Sequence, residues 1–201
     1  MTLLLLDTCA YLRLARRVKP LLGVEFGQKR YVLTVLPDVE QEVLRSGRLR
    51  HLFPWFSSDQ TAAAERLAQS VRLTAAQRQE LEIAARFLHD WVVEEAVSFA
   101  SRGRTPPSRV DCRVLAFGQT HGATIVTDDL AMHDLAGTFD IEVLHGHELL
   151  AKLRTAKLID NALVREIYEA LDRNGDLPAS WRAAKHKTFL KVFGPELTRS
   201  S

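Results

Sequence analysis

The sequence predicts an α/β fold: a central parallel sheet layered between helices, with a helical extension at the C-terminus. Three observations carry this reading. Short, wholly apolar runs stop abruptly at polar residues, as strands buried on both faces do. Segments with helical spacing alternate with those runs, which favours parallel pairing and an α/β/α sandwich. The 201 residues, 46% of them hydrophobic, suffice for one full core.

Leu3–Leu6 is the first such run and ends at Asp7-Thr8. Residues Cys9 to Arg17 read as a helix. Tyr31–Leu36 is rich in β-branched residues and reads as a second strand. Pro37 and Asp38 then open a helix with Val39 and Val43 on one face and Gly47 at its end. Residues 48–72 are ambiguous up to Thr61, with a break at Pro54. Thr74 and Gln77 form a capping box ahead of Leu81, Ala85, Leu88 and Val92. A second capping box, Ser108 and Asp111, opens a helix that Gly122 closes. Ala123–Val126 and Ile141–Leu144 read as two further strands, and Glu148–Arg154 as a helix. In the extension, Leu158, Leu163, Ile167 and Leu171 repeat at helical spacing up to Asn174-Gly175. Ser180 is positioned to cap a last helix bearing Trp181, Phe189, Leu190 and Phe193 beside Arg182, Lys185, Lys187 and Lys191.

The bulk properties exclude several classes. Cys9 and Cys112 make neither a disulfide framework nor a zinc-binding spacing. The leading Leu run is too short for a signal peptide or a membrane span, so cytoplasmic residence is expected. Residues 1–150 hold 17 basic and 19 acidic side chains, and residues 151–201 hold 10 and 6. The division suggests an acidic catalytic part and a basic tail free to meet phosphate.

Each acid near a strand end has an ordinary explanation. Asp7 and Asp129 can cap helices, Asp111 stands in a capping box, and Glu42 can pair with Arg45 or Ser46. The set carries more weight than its members. An apolar strand running straight into Asp7-Thr8 repeats at Ile125-Val-Thr127-Asp128-Asp129, and ligands bind at the carboxyl ends of parallel strands. Carboxylates gathered there repel one another unless a cation sits among them. All-oxygen ligation suits Mg²⁺ or Mn²⁺.

These residues resemble the PIN-domain ribonucleases, most closely the VapC-type toxins of toxin–antitoxin pairs. The resemblance rests on Leu3-Leu-Leu-Leu-Asp7-Thr8, on Leu36-Pro-Asp-Val-Glu-Gln-Glu42-Val and, most firmly, on Asp111-Cys-Arg-Val-Leu-Ala-Phe-Gly leading to Gly122-Ala-Thr-Ile-Val-Thr127-Asp-Asp129. It spans residues 1–150, a PIN-like nuclease domain, and leaves 151–201 as a helical extension without counterpart in a minimal toxin. It implies that Asp7, Glu42, Asp111 and Asp129 are the catalytic, metal-holding acids. Glu40 competes with Glu42, and Asp128 competes with Asp129 or joins it at the metal. Thr8 and Thr127 are expected to support the ligands. It further implies an RNA substrate, a cognate antitoxin and a homodimer. A non-catalytic PIN-fold binding module is the alternative. A haloacid-dehalogenase-type phosphatase also places an Asp after its first strand, but needs another two residues on, where Cys9 stands. His145-Gly-His147-Glu148 lacks a third metal ligand at suitable spacing and reads as a loop entering a helix.

Overall fold

The computed structural model describes residues 1–196. In chain order the strands are β1 (Thr2–Leu6), β2 (Glu25–Phe26), β3 (Tyr31–Val35), β4 (Thr124–Val126) and β5 (Val143–Leu144). Helix α1 (Thr8–Leu14) follows β1. Five helices follow β3 before the long arm closes: α2 (Asp38–Arg45), α3 (Gly47–Leu52), α4 (Trp55–Ser58), α5 (Gln60–Gln69) and α6 (Ala75–Glu94). Next come α7 (Ala96–Ser101), α8 (Arg109–His121), α9 (Leu130–Thr138) and α10 (Gly146–Thr155), then α11 (Asn161–Arg173), α12 (Ala179–Lys185) and α13 (Leu190–Phe193). No helix among the described residues is long and apolar enough to cross a membrane.

The sheet order is β2-β3-β1-β4-β5. All pairs are parallel except β2 with β3, an antiparallel edge hairpin that the polar residues 25–30 give little sign of in sequence. β1 is central, and its side chains alternate between two cores. Leu4 and Leu6 join Leu33, Val35 and Val126 against α1, α2, α10 and α11. Leu5 joins Leu36 and Ile125 against α6, α8 and α9. Helices therefore cover both faces, which is why the strands read as unbroken apolar runs.

Helix boundaries follow local chemistry. Both capping boxes form: Thr74 with Gln77 at α6, and Ser108 with Asp111 at α8. Gly122 ends α8 at φ +61°, a left-handed conformation that costs glycine nothing. Three local expectations change. α2 stops at Arg45, and Ser46 caps α3, so Gly47 opens the next helix instead of closing this one. Ser180 is no cap: α12 starts after Pro178, and the Ser180 hydroxyl turns to Asp128. Leu158 and Leu190 are exposed: Leu158 lies ahead of α11, which starts only at Asn161, and Leu190 lies past the break between α12 and α13.

The tail is not peripheral to the packing. Val164, Ile167, Tyr168, Leu171, Trp181 and Phe189 belong to the same apolar cluster as Leu4 and Leu6 of the sheet. Tyr168 lies at its aromatic centre, with ring centroids 5.2 Å from Trp181 and 5.4 Å from Phe189. Phe189 is fully buried. Phe189→Ala should therefore destabilise the protein by about 3–5 kcal/mol in urea denaturation, the usual cost of emptying a buried aromatic site.

Candidate active site

Four parallel strands, β3, β1, β4 and β5, end on the same level. Leu6 pairs with both Val35 and Val126, and Val126 pairs with Leu144. The next residue of each strand therefore lines one edge: Leu36, Asp7, Thr127 and His145. The Asp7 N–H donates to the Val126 carbonyl at 3.1 Å, and the Thr127 N–H to the Leu144 carbonyl at 3.0 Å, which fixes the edge rigidly.

Asp7 is buried at the start of α1. One carboxylate oxygen accepts the Ala10 N–H, and the other accepts the Thr127 hydroxyl, each at 2.5 Å. The ordinary role as a helix cap is thus real, and it aims the carboxylate along the sheet edge. Thr127 Oγ1 in turn accepts the Asp129 N–H at 3.1 Å, while Asp129 caps α9 through the Ala131 N–H at 2.7 Å. On the other side, the Thr8 hydroxyl donates to Glu42 at 2.5 Å. Glu42 thus faces the edge, with Thr8 as its hydrogen-bond partner and not Arg45 or Ser46. Glu40, two residues earlier, is exposed. Asp111 accepts the Ser108 N–H at 2.8 Å at the mouth of α8.

The two threonines link Glu42, Asp7 and Asp129, and electrostatics joins Asp111 to them. Burial pushes the Asp7 carboxyl up to about 7, with a smaller upward push from Asp111. Burial first, then Asp111, raises Glu42; burial first, then Asp129, raises Asp111. Asp129 itself is exposed, so the acids run from a buried floor to an open rim. Carboxylate oxygens are the donors a hard divalent cation takes, yet among the described residues no three of these acids bring ligand atoms within 4.8 Å of one another. The set offers carboxylate oxygens only, and burial, ahead of mutual repulsion, is what lifts Asp7, Glu42 and Asp111.

Asp128 does not join this set. Its side chain is 3% exposed and points towards the C-terminal helices. It accepts the Trp181 indole N–H at 2.9 Å, the Gly146 N–H at 3.1 Å and the Arg13 guanidinium at 3.3 Å. Gly146 must be a glycine for this to close: a Cβ there would fall 2.8 Å from Trp181 and 2.9 Å from Asp128. Despite burial, the hydrogen bonds from His145 and Trp181 and the Arg13 charge hold the Asp128 carboxyl below its usual range. Sequence reasoning missed Arg13, which also binds Asp176 through two nitrogens at 3.0 and 3.1 Å. Nothing but a helical position marks it in the sequence. Of the cysteines, Cys112 is a core residue and Cys9 keeps an exposed edge beside the acids; burial pushes both thiols up to about 12, with Asp7 adding to the push on Cys9.

A cleft of about 340 Å³ opens beside Glu42, lined by Asp38, Gln41, Arg45, Ser46 and Val110. A neighbouring cleft of about 390 Å³ shares Asp38 and Val110 and adds Arg86, His89, Arg109 and Arg113. The lining of this second cleft also includes Glu82 and Asp90, and Arg113 pairs with Asp38 and Glu82, so basic and acidic side chains are mixed there.

The raised acids make a pH prediction. The Asp7 carboxyl goes from an ordinary value of 3.8 to about 7 on folding. The folded state then binds a proton more tightly than the unfolded chain, so stability falls as pH rises from about 4 to about 7 and stays reduced above that. The penalty at pH 8 is on the order of 4 kcal/mol for such a shift. In chelator, metal-free Asp7→Asn protein should be more stable than wild type at pH 8, with the gap closing towards pH 4.5. An equal gap at both pH values, read from urea midpoints, would contradict the buried-carboxylate account.

The chain matches no protein-family model, no curated protein and no solved structure, so the reading of this edge rests on its own geometry and chemistry.

Proposed function

We propose that this chain is a metal-dependent endoribonuclease with a PIN-like catalytic architecture, hydrolysing phosphodiester bonds of RNA. The observation that carries the reading is the threonine-linked row of acids on the sheet edge. A buried strand-end Asp7 shares Thr127 with the Asp129 turn, Thr8 holds Glu42 beside it, and Asp111 lies within electrostatic reach. Burying a carboxylate such as Asp7 with further acids near it is costly, and a fold with no use for a cation there has little reason to keep it.

Asp7, Glu42, Asp111 and Asp129 are the residues that hold one or two Mg²⁺ or Mn²⁺ ions. When bound, such an ion acidifies a water and neutralises charge that develops on a transferring phosphoryl group. The protein's own part is positional. Ala10 N–H and the Thr127 hydroxyl fix both oxygens of Asp7, and the Thr8 hydroxyl orients one oxygen of Glu42. Asp129 lies at the open rim, and Arg45 and Arg109 line the clefts near Glu42, suited to phosphate, whereas Arg113 is paired with Asp38 and Glu82. In the tail, Lys187 and Lys191 are exposed, whereas the Lys185 ammonium lies 5.0 Å over the Phe193 ring.

The wider biology belongs to the same proposal: a VapC-type toxin, cytoplasmic and homodimeric, restrained by a cognate antitoxin. A short antitoxin reading frame immediately upstream of the gene is the expected context.

Two variants test the catalytic reading. Asp7→Asn and Asp111→Asn should each lower Mn²⁺-dependent RNA cleavage by at least about 10³-fold while far-UV circular dichroism is unchanged, because the charge goes and the shape stays. Near-wild-type cleavage by either variant refutes the site. Within the α2 pair, Glu42→Ala should cost far more activity in single-turnover cleavage than Glu40→Ala, since only Glu42 faces the edge. Equal losses would mean that α2 contributes no ligand.

A further inference from the structure

A second group of metal-ligating side chains lies beside the acidic edge. Because β4 and β5 pair at Val126 and Leu144, Asp128 and His145 leave the sheet next to each other, and His147 follows in the first turn of α10. The sequence offers His145-Gly-His147 without a third ligand; the sheet supplies it from residue 128. One ligand atom from each of Asp128, His145 and His147 lies within 4.8 Å of the other two. His145 Nδ1 is 3.5 Å from an Asp128 oxygen. A second observation is independent of that proximity. The Nδ1 atoms of His145 and His147 are both shut off from solvent; that of His147 has no hydrogen-bond partner, and that of His145 has only its long approach to Asp128. Folded proteins rarely leave buried ring nitrogens bare, and a bound ion is one of the standard reasons for such a gap.

We propose that Asp128, His145 and His147 form a metal site for a borderline divalent ion of the Zn²⁺ type, chemically distinct from the all-oxygen edge. Two imidazoles and a carboxylate with one open position are a familiar Zn²⁺ set, whereas Mg²⁺ prefers the carboxylates next door. Ligand bonds of about 2.0–2.1 Å separate tetrahedral ligand atoms by about 3.4 Å. Separations of at most 4.8 Å must therefore close by no more than about 1.4 Å, with the His145 and His147 rings, now stacked at a centroid distance of 5.3 Å, turning towards Asp128. Asp128 is prepared for the role. Arg13 and the Trp181 indole hold one of its oxygens, and the other, which accepts the Gly146 N–H and the Ser180 hydroxyl, faces His145. Outer donors of this kind orient a ligating carboxylate. Since Ser180 and Trp181 of α12 bond the same carboxylate, an ion here fastens β4, α10 and the C-terminal helices together, one residue away from Asp129.

The site is tested apart from the nuclease proposal by using full-length protein that carries Asp7→Asn and Asp111→Asn. That background disables the acidic edge, so the outcome does not depend on RNA cleavage. The protein is stripped with chelator and titrated with Zn²⁺ by calorimetry. One Zn²⁺ per chain is expected, with affinity falling at least tenfold on adding His147→Gln and likewise on adding His145→Gln. If His145→Gln protein fails to fold, His147→Gln decides the matter, since the His147 Nδ1 bonds nothing that its loss would break. No Zn²⁺ binding in the parent variant, or undiminished binding in the His147→Gln protein, overturns the proposal.

Discussion

Everything at this edge follows from one constraint: β1 is buried on both faces and stops in the same plane as its two neighbours. A strand in that position has no solvent at its end, so the residue that turns the chain there is desolvated whatever its type. The residue is Asp7, and its ionised form survives only through what surrounds it. The Ala10 amide and the Thr127 hydroxyl take up its two oxygens, yet burial still lifts its pKa to about 7. The hydrogen bonds set its direction without meeting its charge. A divalent cation would meet it, and that shortfall is the physical root of the nuclease proposal.

The fold was largely legible because both cores write themselves into the strands. Leu3–Leu6 and Tyr31–Leu36 are apolar at consecutive positions, so alternate residues must feed opposite faces. The capping boxes at Thr74 and Ser108 are local chemistry that needs no tertiary knowledge. Long-range effects were less legible. The β2 hairpin owes its existence to pairing with β3 and not to its own residues. Residues 48–72 break into α3, α4 and α5, where Ser46, Pro54 and Asp59 in turn start each piece, a succession too short for any periodicity to reveal.

The candidate site divides in the same way. Asp7, Thr127 and Asp129 are readable as strand ends, and Asp111 as a helix start. The choice of Glu42 over Glu40 depended on family spacing in the sequence, whereas in the structure it follows from the Thr8 contact and from the exposure of Glu40. Asp128 was the least legible. Beside Asp129 in sequence it reads as a rival ligand, but alternation along the turn sends it to the opposite side, into Arg13, Gly146 and Trp181. The latter two partners lie 18 and 53 residues downstream, and no local pattern announces them. The tail thereby gains a function in the architecture that its charge alone does not suggest: its indole N–H helps to hold the turn that carries Asp129.

The central claim, that the sheet edge exists to hold a cation between Asp7 and its neighbouring acids, is most directly tested by diffraction from crystals soaked in Mn²⁺ at pH 7.5. Anomalous difference density bridging Asp7 and Asp111, with Glu42 or Asp129 in the ligand shell, is the predicted result. A map without density at that edge while Mn²⁺ occupies other positions in the same crystal would contradict it.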